Sequence, residues 1–216
     1  MDFKGAYTTA NLKFLLEGFY VTLEVAFIAI AISFVIGCVT GTLRYAKVPV
    51  LSQALAFEVE LIRNLPLLLI IFFTRFALPE VGINLGTLYS SIVALAVFEA
   101  AMISEVVRSG LNSVDKGQIE AARSSGLNGA RTLWHIVLPQ GLRRMVPPLV
   151  SQFISLLKDT SLAVGIALPE LMHNANIVVG HNYNSAIPIL MVVAVMYFVV
   201  NYILSLVSRR LENRMA

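Results

Sequence analysis

With 216 residues, 57% of them hydrophobic and only 13% charged, the chain is too apolar for a water-soluble domain, which carries about 25% charged residues. Its formal charge of +3 gives no reason to invoke nucleic acid or an anionic substrate. A single cysteine, Cys38, excludes a disulfide framework, and His135, His173 and His181 are too dispersed for a metal site.

The chain opens with the charged residues Asp2 and Lys4 and turns apolar only near Phe14, which is the wrong order for a secretory signal. Crossing a bilayer takes about 20 mostly apolar residues in a helix, and residues 19–43 meet that length first. Gly37 and Cys38 resemble a lipoprotein cleavage box, but the apolar run continues past them through Val39 to Leu43. Residues 50–78 follow, interrupted by Arg63, Asn64 and Pro66. The proline removes one backbone donor and frees a carbonyl, as in transporter helices broken at a binding site. Residues 85–107 form the third stretch, with Glu99 near its middle. Residues 146–168 form the fourth, with Lys158 and Asp159 inside it, and residues 186–207 the fifth.

Orientation follows from the bias of Lys and Arg toward cytoplasmic loops. If the C-terminus is inside, that side collects Arg44, Lys47, Arg108, Lys116, Arg123, Arg131, Arg143, Arg144, Arg209, Arg210 and Arg214, eleven of the sixteen basic residues. Outside remain Lys4, Lys13 and Arg75. The expectation is an all-α polytopic membrane protein with five transmembrane helices, N-terminus outside and C-terminus inside, forming a single domain over 1–216.

Between the third and fourth stretches lies a polar loop, 111–138. Asp115 with Gln118 three residues on predicts a capping box that starts a short helix carrying Glu120, Ala121, Ala122 and Arg123. Gly126 can take the left-handed conformation that ends it. Asn128 predicts the cap of a second helix, halted by Pro139. Two alanines allow close approach of another backbone. Leu133, Trp134, Ile136 and Val137 supply more apolar surface than a solvated loop needs, either for a partner protein or for packing on the chain's own helices.

Ionisable groups at bilayer depth are costly and tend to pair or to face a cavity. Arg63, Glu99, Lys158 and Asp159 are the four such groups considered. Two readings stay open: a set of ion pairs that fixes helix register, or a mixed lining for a zwitterion in which Glu99 meets an ammonium and Lys158 or Arg63 a carboxylate. Glu58 and Glu60 read as interfacial or dimer-contact residues.

The loop also resembles a known one. Glu120-Ala121-Ala122, Gly126, Ile136 and Leu138-Pro139 match, element by element, the "EAA" loop of ABC-importer permeases. "VDKGQIEAAR", "LPQGLRRMVPPL", "LLKDTSL" and "IRNLPLLL", at 114–123, 138–149, 156–162 and 62–69, resemble the polar amino-acid branch of that family, and the similarity covers most of the chain from Leu12 on. Ser125 departs from the leucine usual in relatives, and Asn64-Leu65 replaces a smaller pair. The resemblance implies the transmembrane subunit of an ATP-driven importer in a bacterial cytoplasmic membrane, carrying a polar amino acid, with glutamine or glutamate first. Its loop would be a coupling helix that docks on an ATP-binding subunit through Glu120, Ala121, Ala122, Arg123, Gly126, Trp134, Ile136, Leu138 and Pro139. Partners implied are a cytoplasmic ATP-binding subunit dimer, a second permease copy or a homologous permease, and an external solute-binding protein. No cofactor is implied. The chain has no G-x-x-x-x-G-K-[ST] phosphate loop, so ATP chemistry is expected in the partner. The candidate substrate pathway is Arg63, Asn64, Pro66, Glu99, Lys158 and Asp159. Alternatives are a permease for an opine, cystine or a basic amino acid, and an ATP-independent transporter or channel using Glu99 and Asp159 as a proton relay.

Overall fold

The computed structural model describes the backbone of residues 1–215 and the side chains as far as Arg210, so the Arg214 side chain lies outside the described residues. All regular elements among the described residues are helical. A short α1 (Phe3–Ala6) precedes the long α2 (Thr9–Tyr45). Then come α3 (Leu51–Asn64), α4 (Leu67–Phe72) and α5 (Gly86–Asn112). The loop contributes α6 (Lys116–Ser124) and α7 (Gly129–Thr132). The chain finishes with α8 (Leu138–Asp159), α9 (Leu171–His181) and α10 (Ala186–Met215). Four helical segments are long and apolar enough to cross a bilayer: Thr9–Tyr45, Gly86–Asn112, Gly129–Ile166 and Tyr183–Arg210. A fifth candidate is the pair Leu51–Asn64 and Leu67–Val81, bent by 102°.

The bend has a local cause. A residue before proline is pushed out of the helical region, and Leu65 is extended at φ −88°, ψ 143°. Pro66 is extended too, at φ −61°, ψ 129°, and has no N–H to offer. The Leu65 N–H closes α3 on the Ile62 carbonyl, while the Pro66 carbonyl accepts from Leu69 and Ile70 and opens α4.

α2 and α5 pack along a seam of small residues. On this side α2 buries Ala26, Ala29, Ser33, Gly37 and Gly41, recurring every three or four residues, while Gly18 and Thr22, nearer its N-terminus, face Glu170 at the start of α9. Facing the seam positions, α5 buries Ala94, Ala100, Ile103, Ser104 and Val107. The fit is close: a Cβ added to Gly37 would lie 2.6 Å from Ile103 Cγ2, and one added to Gly41 would lie 2.6 Å from the Ser104 carbonyl oxygen. Gly37 and Gly41 form a G-x-x-x-G pair, which lets helix backbones approach where lipid offers no hydrophobic drive for association. α8 then packs on α5 at Gly110, where a Cβ would meet Met145 Cγ at 2.3 Å.

Contrary to the expectation from sequence, Pro139 does not stop the second loop helix. α7 runs into a π turn, Leu133–Val137, and α8 starts at Leu138 with Pro139 in its first turn. A proline there needs no intrahelical donor, because first-turn N–H groups have no helical partner. The π turn has already interrupted the α ladder, so the helix continues through to Asp159.

The seam generates a prediction. Gly41→Leu places branched carbon against the Ser104 backbone, which cannot yield as a side chain could, and should cost about 1–3 kcal/mol by overpacking. Thermal unfolding in detergent should show a lowered midpoint and less monodisperse protein. Wild-type stability in this variant would refute the close seam.

Candidate coupling loop and buried charges

α5 ends at Asn112, and the Asp115 side chain caps α6, its Oδ1 accepting from the Gly117 N–H at 2.8 Å. The reciprocal arm of the expected capping box is absent. Gln118 turns instead to α8, where its Oε1 accepts from Gln140 Nε2 at 2.6 Å. α6 closes in the manner Gly126 predicts: Gly126 has φ +87°, its N–H bonds the Arg123 carbonyl, and the Leu127 N–H bonds the Ala122 carbonyl. These two bonds are the Schellman pair, and φ there favours glycine. Asn128 caps the next helix through the Arg131 N–H at 2.9 Å.

Ala122 is buried, whereas Glu120, Ala121, Arg123, Gly126 and Pro139 are exposed, and Ile136 and Leu138 are half-buried. Trp134 is 66% exposed, too open for a packing residue. Val137, 1% exposed, seats the segment in a core cluster with Leu111 and Met145. Among the described residues no ion pair joins Glu120 to Arg123. The Arg123 guanidinium lies over Gly129 instead, 3.1 Å from where a Cβ would stand. Arg144 donates to the Ser113 carbonyl, so the start of the loop is tied to α8 a second time.

The four membrane charges do not assemble into one set. Glu99 is 2% exposed, and its Oε1 has no hydrogen-bond partner. The ionisable group whose field reaches it is Asp159, another carboxylate, at the end of α8. Lys158 is exposed and Asp159 half-buried. Arg63 is directed elsewhere, 3.7 Å from Glu105. Asn64 and Pro66 are exposed at the bend, where the Asn64 amide donates to the Glu60 carbonyl at 2.8 Å. Beside the bend an apolar hollow of about 320 Å³ is lined by Ile62, Leu65, Leu69, Ile70, Phe73 and Val97. Glu58 and Glu60 are exposed.

Two polar centres escape the sequence reading. Glu105 gathers Arg44 at 3.0 Å, Arg63 at 3.7 Å and Arg108. Its signal was the spacing to Arg108, three residues on, which is one helical turn. Arg44 joins it only because the seam brings α2 beside α5. Glu170 is fully buried, accepting from the His173 N–H at 2.7 Å, the Met172 N–H at 2.9 Å, Tyr197 Oη at 3.3 Å and Thr22 Oγ1 at 3.5 Å. It caps α9 and pins that helix to α2 and α10. Only the helix start two residues after Pro169 could have pointed to it.

The family model for the binding-protein-dependent transport system inner membrane component matches residues 33–216. A probable glutamine ABC transporter permease protein of Bacillus subtilis (strain 168) is 66% identical over 216 residues, 99% of each chain. A glutamine transport system permease protein of Escherichia coli (strain K12) is 32% identical over 100% of this chain and 99% of its own. Among solved structures, an amino acid ABC transporter with histidines superposes with a TM-score of 0.91 at 26% identity, covering 99% of both chains. An inward-facing MetNI methionine ABC transporter shares the fold, with a TM-score of 0.81 at 22% identity over 97% of this chain and 99% of that one.

Because Glu99 has no cationic partner among the described residues, its removal is expected to break no ion pair. Glu99→Gln should leave the yield of membrane-inserted protein at or above the wild-type level, since an amide is cheaper to bury than an unpaired carboxylate. Quantitative blotting of membranes checks this. Loss of more than half of the protein would mean that Glu99 belongs to a structural pair.

Proposed function

Since the chain belongs to the family of binding-protein-dependent transport system inner membrane components, we propose that it moves glutamine inward across the cytoplasmic membrane as the permease of an ABC importer. It is a membrane subunit, and in this family ATP hydrolysis is done by a separate ATPase subunit. The assembly we infer contains two such ATPase subunits, a second permease copy or a homologous permease, and an external solute-binding protein. The chain is one permease domain over 1–216, crossing five times with its N-terminus outside. The bent pair α3–α4 makes the second crossing, and the basic loops face the cytoplasm.

One observation carries the coupling role: α6 is a largely exposed helix closed by a Schellman turn and tied to α8 through Gln118–Gln140, while Ser113, at the end of α5 where the loop begins, is tied to α8 through Arg144. A push on Glu120, Ala121, Arg123 or Trp134 therefore reaches α8 as a rigid-body displacement rather than dissipating in a loose connection. α8 has 22 residues, or roughly 33 Å at 1.5 Å per residue. At its far end stand Lys158 and Asp159, with Glu99 within the reach of Asp159. ATP-driven motion of the partner is thus delivered to the carboxylates that would face a substrate ammonium. Asn64 and Pro66 supply the break in the path at which backbone groups are free to meet the solute. Arg63 turns toward Glu105, which leaves Lys158, beside Asp159, as the other cation of the proposed path.

The test is labelled glutamine uptake by vesicles holding this chain, its ATPase and its binding protein. Uptake should require all three and ATP. Uptake by the chain alone, driven by a proton gradient, would overturn the importer reading in favour of a carrier. Gly126→Leu should uncouple: a left-handed leucine costs about 1–2 kcal/mol, although no atom lies within 4 Å of the new Cβ. Transport should fall severalfold with the protein still inserted. Gly126→Asn, which tolerates that conformation, should recover most of it. Equal transport in the leucine variant and wild type would remove the loop from the mechanism.

A further inference from the structure

A cavity of about 390 Å³ lies between α2, α3 and α5, lined by Arg44, Ala56, Glu60, Arg63, Asn64 and Glu105. That is within the size range of small-molecule sites. Its lining carries two arginines and two carboxylates, unevenly paired. The guanidiniums of Arg44, Arg63 and Arg108 converge on one carboxylate, Glu105. A guanidinium offers five N–H donors and a carboxylate about four lone-pair sites, so most of the donors gathered here have no acceptor in Glu105.

Arg44 is the informative member. Its side chain is only 9% exposed. Nη1 donates to Ser104 Oγ at 3.1 Å and Nη2 to Glu105 at 3.0 Å, while Nε is buried with no partner. A cation so far removed from water gains from a second anion. Arg63, 38% exposed, approaches Glu105 no nearer than 3.7 Å and is free to turn toward another acceptor. Glu60, in the same lining, carries the opposite sign. Two arginines beside two carboxylates disfavour a phosphate dianion and suit a ligand bearing one carboxylate and one ammonium.

We propose that this cavity is a second amino-acid site, open to the cytoplasm, in which Arg44 and Arg63 hold the α-carboxylate of a free amino acid and Glu60 holds its ammonium. The inference rests on the importer reading and the orientation given above. Such a ligand bridges α2 and α3, and α3 leads directly into the bend at Pro66. It binds only while the two helices keep this separation, so it favours that conformation over the others of the transport cycle. Amino acid accumulating inside then slows its own entry.

Vesicles containing the complete importer test this through the initial uptake of labelled L-glutamine, measured with and without unlabelled L-glutamine inside. At an internal level about ten times the half-inhibitory one, wild-type uptake falls about tenfold. In Arg63→Gln the ratio of loaded to empty vesicles returns close to one. Glu60→Gln, at an exposed position outside the Glu105 pairs, weakens the inhibition severalfold and serves if the arginine variant fails to insert. Wild-type vesicles that take up no glutamine when empty sink the importer reading itself. Good uptake that internal glutamine leaves undiminished sinks this site alone. Inhibition equal in wild type and both variants, inhibition matched by internal inorganic phosphate, or inhibition that follows the anionic lipid content of the vesicles also overturns the assignment.

Discussion

The contact on which the rest of the structure depends is the small-residue seam between α2 and α5. Within lipid, apolar side chains gain nothing by leaving the solvent, so association must come from close van der Waals approach. Gly37 and Gly41 permit it, because their missing side chains are the space that Ile103 and the Ser104 backbone occupy. The seam sets the axial register of the two helices. That register puts Arg44 beside Ser104 and Glu105. It also leaves the remaining α5 faces to α3 and α8, which pack there at Val59 and at Gly110–Met145.

The proposed coupling through α8 depends on continuity rather than on any single contact. Pro139, Pro147 and Pro148 would each break an ordinary helix, yet the segment from Gly129 to Ile166 is continuous enough to count as one span. The π turn before Pro139 absorbs part of the lost bonding. A rod with such joints bends at defined places and carries a displacement along its length.

The polar groups within the membrane divide into centres with different chemistry. Glu105 is saturated with cations, Glu170 with hydrogen-bond donors, and Glu99 with neither. A carboxylate held by several donors is a fastener. One with an unsatisfied oxygen has capacity left for another partner, and this contrast is why the proposed path is drawn past Glu99.

The sequence by itself determined the class and the loop. Composition and five apolar stretches required an all-helical membrane protein, since only helices satisfy their own backbone in lipid over such lengths. The spacing of Asp115, Gly126 and Asn128 located the loop helices because caps and left-handed turns are local events, decided within four or five residues. Pro66 likewise announced the bend. What tertiary structure alone decided was partnership. Arg63 looked available to Glu99 but meets Glu105, Gln118 leaves its own helix cap for Gln140, and Pro139 is carried through by a π turn. Glu170, past the fourth apolar stretch, carried no local signal of its role and is a buried cap. In each case the outcome depends on which helix faces which, and at what register. That is fixed by the glycine and alanine pattern of α2 and α5 acting together, which no single stretch of the chain contains.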